Sequence, residues 1–398
     1  MTGPLEEPAF RRLWLAGFVS EVGDWVLLVA LPVYVYQRTG SAAATATTFV
    51  VALLPSLALS PVAGVLADRW DRRRLVVVVS LAQAVALLPL LTGDLVVLNA
   101  VVAVQSGLAA LFQPAVNALL PTLVPRGQLV AANGLVSLNS TVARLVGASL
   151  GGLLLGHAGL SGVVLVDAAS FLLAAGLLAS LRAPDREGGA GGAATVPPWR
   201  AWLDGLREIR GPLRPMIAVF LLTATGQGLF VVLFVVFVTE RLGGGATEVG
   251  LLRGVQAVGG LVAGLLVGVL SRRFAADRLL GVALIAFAVV AAVGWNGSHL
   301  TTALGFHLGV FAVVGAPGVL IGVGSTSVLQ LSTGDEVRGR VMATFLGLFD
   351  ACQGVGMVLA GALTPVLGLS ALLNAQAGLY LVAGVLALAT LRRASVRA

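Results

Sequence analysis

Twelve apolar blocks, most of about 20 to 25 residues, constrain this chain more than any other feature. A helix rising 1.5 Å per residue needs that length to cross roughly 30 Å of hydrocarbon. The blocks lie at residues 13–36, 44–67, 75–93, 95–120, 130–156, 160–181, 213–238, 248–270, 279–296, 300–330, 341–366 and 369–391. They are far too long for the strands of a membrane β-barrel. With 58% hydrophobic and 11% charged residues among 398, a water-soluble fold would lack polar surface to cover itself. The expected fold is therefore all-α and integral to the membrane, with twelve transmembrane helices. One joint is narrow and one block is long. Only Gly93 and Asp94 separate the third and fourth blocks, and the tenth is long enough to bend near Gly315, Pro317 and Gly318.

The 25 basic residues are all arginine, and the net charge is +7. In a soluble protein such a balance would suggest nucleic acid as partner. Here the arginines sit between apolar blocks, so the expected partner is the lipid bilayer and no nucleic acid. Arginine is held on the cytoplasmic side during insertion. With the N-terminus inside, Arg11 and Arg12, Arg69 and Arg72 to Arg74, Arg126, six around the middle loop, Arg272, Arg273, Arg278, Arg338, Arg340 and the three of the tail fall on one side. Only Arg38 and Arg241 fall in outer loops. Both termini are then cytoplasmic, in the plasma membrane. Arg11 and Arg12 lead into a stretch too long for a signal peptide, so the first span is expected to remain. The single Cys352 gives no disulfide and no metal-ligand spacing, and no cofactor motif occurs.

Residues 182–212 are polar and contain REGGAGGAATVPP, a linker composition. They divide the chain into six-helix halves, 1–181 and 213–398. Within the linker, WRAWLDGLREI sets its apolar residues at helical spacing, as a short helix on the membrane surface would. Internal repeats support the division. GVLADRWDRRRL at 64–75 matches GVLSRRFAADRL at 268–279, RGQLVAANGL at 126 resembles RGRVMATFLGL at 338, and GASLGGLLLGHAGL at 147 resembles GMVLAGALTPVLGL at 356. Two related halves around a midplane site are the architecture of alternating-access carriers.

Five ionisable groups fall deep inside the blocks: Glu21, Asp24, Arg144, Asp167 and Asp350. Each costs roughly 2.5–3.5 kcal/mol on insertion scales, so each needs a partner, a wet cavity or a proton. Glu21 and Asp24, three apart, project from nearly one helix face, and two close carboxylates in an apolar setting suit proton exchange. Hydrogen bonding between helices is the other role open to them. Arg144 and Asp24 each lie 12 residues from the outer end of their span, so equal depth permits an ion pair. Arg144 also shares a face with Gly147 and Gly151 and is as readily an anchor in a helix seam. For Asp350 and Asp167 a buried hydrogen-bonded acid and a transport role stand equal.

GVLADRWDRRR, in the loop after the second span, resembles the signature of the major facilitator superfamily. FRRLWLAGFVSEVGDWVLLVALPVYVYQRTGS, FQPAVNALLPTLVP, DAASFLLAA and DEVRGRVMA resemble its macrolide-efflux-like and siderophore-export-like branch. The resemblance implies a cytoplasmic gate at Gly64, Asp68, Arg69, Arg72 and Arg73, with Asp68 either capping the next helix or pairing with an arginine. The arginines also serve topology alone. GASLGG resembles the family's antiporter motif at Gly147, Gly151 and Gly152, with Ala148 where proline is usual; plain small-residue packing explains it equally. The fourth span carries Gln105 and Gln113 where the family often has an arginine. The family's first, fourth, seventh and tenth helices face the substrate path, which puts Gln105, Gln113, Gln227, His307 and Gln330 on the cavity; His307 is either a proton relay there or a satisfied core residue. The resemblance thus implies a secondary transporter working as a monomer, exporting amphipathic or hydrophobic small molecules against protons, with sodium as the other coupling ion. A dedicated metabolite or siderophore carrier and a non-transporting receptor of the same fold are the alternatives. No P-loop or hydrolase motif supports an enzyme.

Overall fold

The computed structural model describes residues 3–181, 207, 213–334 and 337–391. Among them every regular element is helical. After a 3₁₀ turn at Pro4–Glu6 come α1 (Pro8–Thr39), α2 (Ala42–Arg69), α3 (Arg72–Leu87, extended by a 3₁₀ turn at Leu88–Thr92) and α4 (Leu95–Leu123). The stretch Leu129–Ala179 is hydrogen-bonded throughout, yet Gly159 inside it has φ 65° and ψ −169°, a conformation favouring a residue without Cβ. It is two helices, α5 (129–158) and α6 (160–179). Then follow α7 (Leu213–Val236, closed by a π turn at Phe237–Arg241), α8 (Ala246–Arg273), α9 (Ala276–Gly297), α10 (Leu304–Leu331), α11 (Arg338–Leu367) and α12 (Leu369–Thr390). Among the described residues eleven helices are long and apolar enough to cross a membrane. The break at Gly159 makes the longest of them two spans, and the expected twelve result.

The narrow joint between the third and fourth blocks is built from the two residues that occupy it. Gly93, at φ 69°, ends the 3₁₀ turn, and the Asp94 side chain accepts from the N–H groups of Val96 and Val97 at 2.8 and 2.9 Å. Asp71 caps α3, accepting from the Arg74 N–H at 2.7 Å. The tenth block is one helix, α10, with Pro317 inside it. A Cβ at Gly315 would run into the Gln256 main-chain oxygen on α8, so this glycine serves a close helix crossing.

The chain divides into two compact units, Met1–Val35 with Val51–Thr195, and Tyr36–Val50 with Val196–Ala398. The C-terminal end of α1 and the start of α2 thus group with the second unit. There the Tyr36 hydroxyl donates to a Glu240 carboxylate oxygen, and Gly361 of α11 lies where a Cβ would stand 2.9 Å from both Ala43 Cα and Ala46 Cβ.

Inside each unit the helices pair in the same way. In the first, α1 meets α5 at Gly147 and Gly151, α2 meets α4 at Gly107, and Gly23 meets α6. In the second, α7 meets α11 where Gly228 and Gly356 face each other, α8 meets α10 at Gly259 and Gly315, and Gly226 lies against Tyr380 of α12. Lipid gives apolar helices little reason to associate, so close backbone approach at such glycines supplies much of the packing energy. Each unit also has a buried apolar cluster, with Phe10, Leu75, Leu119 and Leu178 in the first and Met216, Leu284, Val341 and Phe345 in the second. The linker, its WRAWLDGLREI helix apart from Arg207, and the tail arginines lie outside the described residues.

Candidate functional site

Within the first unit, α1, α3, α4, α5 and α6 enclose a cavity of roughly 210 Å³, many times the space one water needs. Its apolar wall includes Phe10, Trp14 and Phe112. Its polar groups are Ser20, Glu21, Asp24, Gln83, Gln113, Asn139 and Ser140. Two of these are acids, and none of the lining residues is basic.

The wall is fixed by helix-to-helix hydrogen bonds. Trp14 Nε1 donates to the Leu135 carbonyl at 3.0 Å, and Asn139 Nδ2 donates to the Trp14 carbonyl at 3.2 Å, so α1 and α5 are tied on both sides of one indole. Ser140, next to Asn139 on α5, donates from Oγ to Glu21 Oε2 at 3.0 Å, two turns beyond Trp14 on α1. Glu21 is half-buried and anchored in this way. Asp24 is exposed to the cavity, and no described residue donates a hydrogen bond to it. The two carboxylates of one helix face therefore differ: one is held, the other is open.

Arg144 does not form the ion pair with Asp24 that equal depth allows. Its guanidinium stands 6.0 Å from the centre of the Trp25 ring, its Nε is buried without a partner, and no described acid pairs with it. Depth along a helix says nothing about azimuth, and Arg144 is turned to the α1 side chain that follows Asp24. Next to it the glycine motif does helix packing. A Cβ on Gly147 would stand 2.5 Å from the Val22 oxygen and 2.6 Å from Trp25 Cβ, and one on Gly151 would stand 2.6 Å from the Val26 oxygen. Gly152 is buried as well.

Of the remaining residues singled out in the sequence, Gln113 lines the cavity and donates to Asn117 Oδ1 at 3.3 Å. Gln105 sits behind the wall, buried, with Nε2 donating to the Gln83 carbonyl at 2.8 Å; Gln83 is the residue that lines the cavity. Asp167 is fully buried on α6. In the second unit Asp350 is half-buried and Gln330 exposed. Gln227 accepts from the Tyr380 hydroxyl at 3.2 Å. His307 is fully buried between the rings of Phe237 and Phe306, with Nδ1 3.2 Å from the Ala303 oxygen and Nε2 without a partner. Around it stands an aromatic cluster of Phe230, Phe234, Phe237, Trp295 and Phe311, with the Arg253 guanidinium 4.9 Å from the Phe230 ring centre.

At the signature motif, Arg72 donates to the Ala118 carbonyl near the end of α4 at 3.1 Å, and Arg73 to the Ala179 carbonyl at the end of α6. Arg12 reaches the neighbouring Ser180 carbonyl at 2.5 Å. At the end of α6, cations on the last carbonyls satisfy groups that have no intrahelical partner and meet the negative end of the helix dipole. The side chains of Gly64, Asp68 and Arg69 lie outside what is described. Trp14, Gln83, Asn139 and Ser140 carry much of the site and had no distinguishing signal in the sequence, since neutral polar residues recur throughout these spans. No described group of three or more His, Cys, Asp or Glu side chains is placed to hold a metal ion.

The sequence profile of the Major Facilitator Superfamily matches residues 13–345 and, in a second register, 216–397. Among curated proteins, the multidrug efflux pump Tap of Mycolicibacterium fortuitum is 29% identical over 406 aligned positions, covering 97% of this chain and 96% of that one. The pump of the same name from Mycobacterium bovis BCG is 30% identical over 92% of this chain and 88% of its own. Macrolide efflux protein A of Streptococcus pyogenes is 26% identical over 44% of this chain and 45% of its own. Among solved structures, a bacterial homologue of the iron transporter ferroportin in its inward-facing state superposes with a TM-score of 0.74 at 18% identity, covering 96% of this chain and 98% of that one. The nucleoside transporter NupG superposes with a TM-score of 0.79 at 12% identity over 96% and 99%. At these identities the structures speak for the fold alone.

Proposed function

Because this chain belongs to the major facilitator superfamily, and so is a multi-pass membrane transporter and no enzyme, we propose that it exports amphipathic or hydrophobic small molecules in exchange for protons. The observation that carries the proposal is the cavity beside α1. Two carboxylates open on a space lined by aromatic rings and neutral polar groups, and no basic residue lines it. Such a cavity attracts cations and protons through its charge and apolar bodies through its rings. The likeness to pumps named for multidrug efflux, over nearly the full length of both chains, supports export.

In this reading Asp24 is the coupling group. It has no described donor to hold it ionised, faces the cavity, and is free to exchange a proton as substrate enters or leaves. Glu21, fixed by Ser140, keeps the field of the site negative while Asp24 is neutral. The resemblance places the cytoplasmic gate at Gly64, Asp68, Arg69, Arg72 and Arg73; the bonds of Arg72 and Arg73 to the ends of α4 and α6 are contacts such a gate would rearrange. Arginine distribution supports a plasma-membrane orientation with both termini cytoplasmic.

The test is a proton-flux assay on purified protein in liposomes, following internal pH as lipophilic cations and macrolide-like compounds are added across an imposed pH gradient. Substrate-dependent proton movement that is lost in Asp24→Asn, while energy-independent exchange persists, supports export and site together. Unchanged uphill transport in Asp24→Asn removes Asp24 from the mechanism. No proton flux with any compound turns the reading to sodium coupling or to a dedicated metabolite carrier.

A further inference from the structure

Asp167 takes no part in the contacts that coupling at Asp24 requires, and its surroundings are those of a neutral acid. It is 0% exposed. Ser170 Oγ lies 2.8 Å from the Asp167 main-chain oxygen and 3.3 Å from Oδ1. A hydroxyl has one proton to donate, and the shorter contact has first claim on it, so the carboxyl keeps a shared bond at most. Oδ2 is buried with no hydrogen-bond partner. On α1, Asp24 directly follows the Gly23 against which Asp167 packs, and Glu21 lies one turn before Asp24. No described cation pairs with Asp167. An ionised carboxylate so poorly solvated and without a cation is far costlier than the acid.

The contact with α1 is made at Gly23, where a Cβ would run into both Asp167 Oδ1 and Ser170 Oγ and would stand 3.1 Å from Ser170 Cβ. Successive helical residues point about 100° apart. Asp24 therefore turns to the cavity while Gly23, beside it, admits the α6 carboxyl to the helix surface. One acid is open to water and substrate, the other is inside the bundle, and a missing side chain lets them approach.

We propose that Asp24 and Asp167 form a proton-sharing pair across the α1–α6 contact, with Asp167 as the store and Asp24 as the exchange group. The proposal rests on the reading that α1 couples transport to protons. In the transfer, the O–H bond of the Asp167 acid breaks and an O–H bond forms on the Asp24 carboxylate. Asp167 is left as the carboxylate, Asp24 becomes the acid, and the pair carries one negative charge throughout. A proton from water, taken up at Asp24 after discharge to the cavity, restores the store by the reverse step. Two carboxyl groups that share one proton titrate as a unit.

Infrared difference spectroscopy on the purified protein in lipid, recorded over a pH series, tests this without any transported compound. The expected result is a protonated-carboxyl C=O band that is absent in Asp167→Asn, whose amide mimics the neutral acid in size. In Asp24→Asn the band should remain and titrate about one pH unit lower, a tenfold loss of proton affinity, because the neighbouring charge is gone. A band of wild-type intensity in Asp167→Asn overturns the proposal, and so does a titration unmoved in Asp24→Asn. Should Asp167→Asn not fold, Ser170→Ala gives the same decision: removal of the shared donor shifts the band, and an unshifted band overturns the pair. Intact substrate-driven proton flux with an unmoved band fails the pair alone; the expected band with no flux fails the export reading alone.

Discussion

The α1–α5 seam permits a quantitative prediction. At Gly151 an added Cβ would lie 2.6 Å from the Val26 oxygen and 2.9 Å from Val26 Cα. Contacts between carbon and backbone atoms relax only at about 3.5 Å or more, so Gly151→Ala requires α1 and α5 to part by most of an ångström. The obstacle is backbone, which no rotamer change can move. Overpacking of this kind costs about 1–3 kcal/mol. Gly134 on the same helix has open space at its Cβ position, and Gly134→Ala should be neutral or stabilising by up to about 1 kcal/mol from helix propensity. Gly147→Ala meets the same obstacle at Val22. Because one separation relieves both clashes, the double variant should cost clearly less than the sum of the single ones. Reversible unfolding in mixed micelles, read by tryptophan fluorescence, measures all four. If Gly151→Ala and Gly134→Ala unfold alike, or if the two seam variants are strictly additive, the close approach of α1 and α5 is not what holds the seam.

Other expectations are smaller in scope. Asp94→Ala removes the acceptor of two N–H groups at the start of α4 and should cost about 0.5–2 kcal/mol in the same unfolding assay; Asp94→Asn should recover most of it. Trp295 Nε1 donates to Gln376 Oε1 at 3.0 Å, and Gln376 is fully buried, so Trp295→Phe should cost about 1–3 kcal/mol by leaving that oxygen without a donor. Ser140→Ala frees the Glu21 carboxylate and should alter the pH dependence of transport in liposomes while leaving the fold intact; an unaltered profile would mean that Glu21 does not need its anchor.

The spans were legible because length and hydropathy are properties of single segments, and a bilayer punishes any error in either. Gly93, Asp94 and the block boundary near Gly159 marked breaks that the backbone makes. The site was legible only in part. Glu21 and Asp24 declared themselves by being charged in a stretch where charge is costly, and both line the cavity. What those charges meet was not readable, because a contact between helices depends on rotation and on distant residues. Arg144 shows this: its depth matched that of Asp24, but its side chain lies over Trp25. Gln83 and Gln105 exchanged roles for the same reason, and Gly23, whose value lies in what it lacks, carried no signal among 51 glycines.

The repeated pairing of helices has a consequence for how this protein has diverged. Where Gly23 receives an aspartate from α6, the corresponding crossing in the other unit sets Gly226 against a tyrosine that bonds Gln227. The small residue is kept at both crossings while the side chain it admits differs, an acid in one unit and a ring in the other. Substitutions at the crossing glycines are therefore expected to disturb packing alike in both units, and substitutions at the side chains they admit to act in one unit alone.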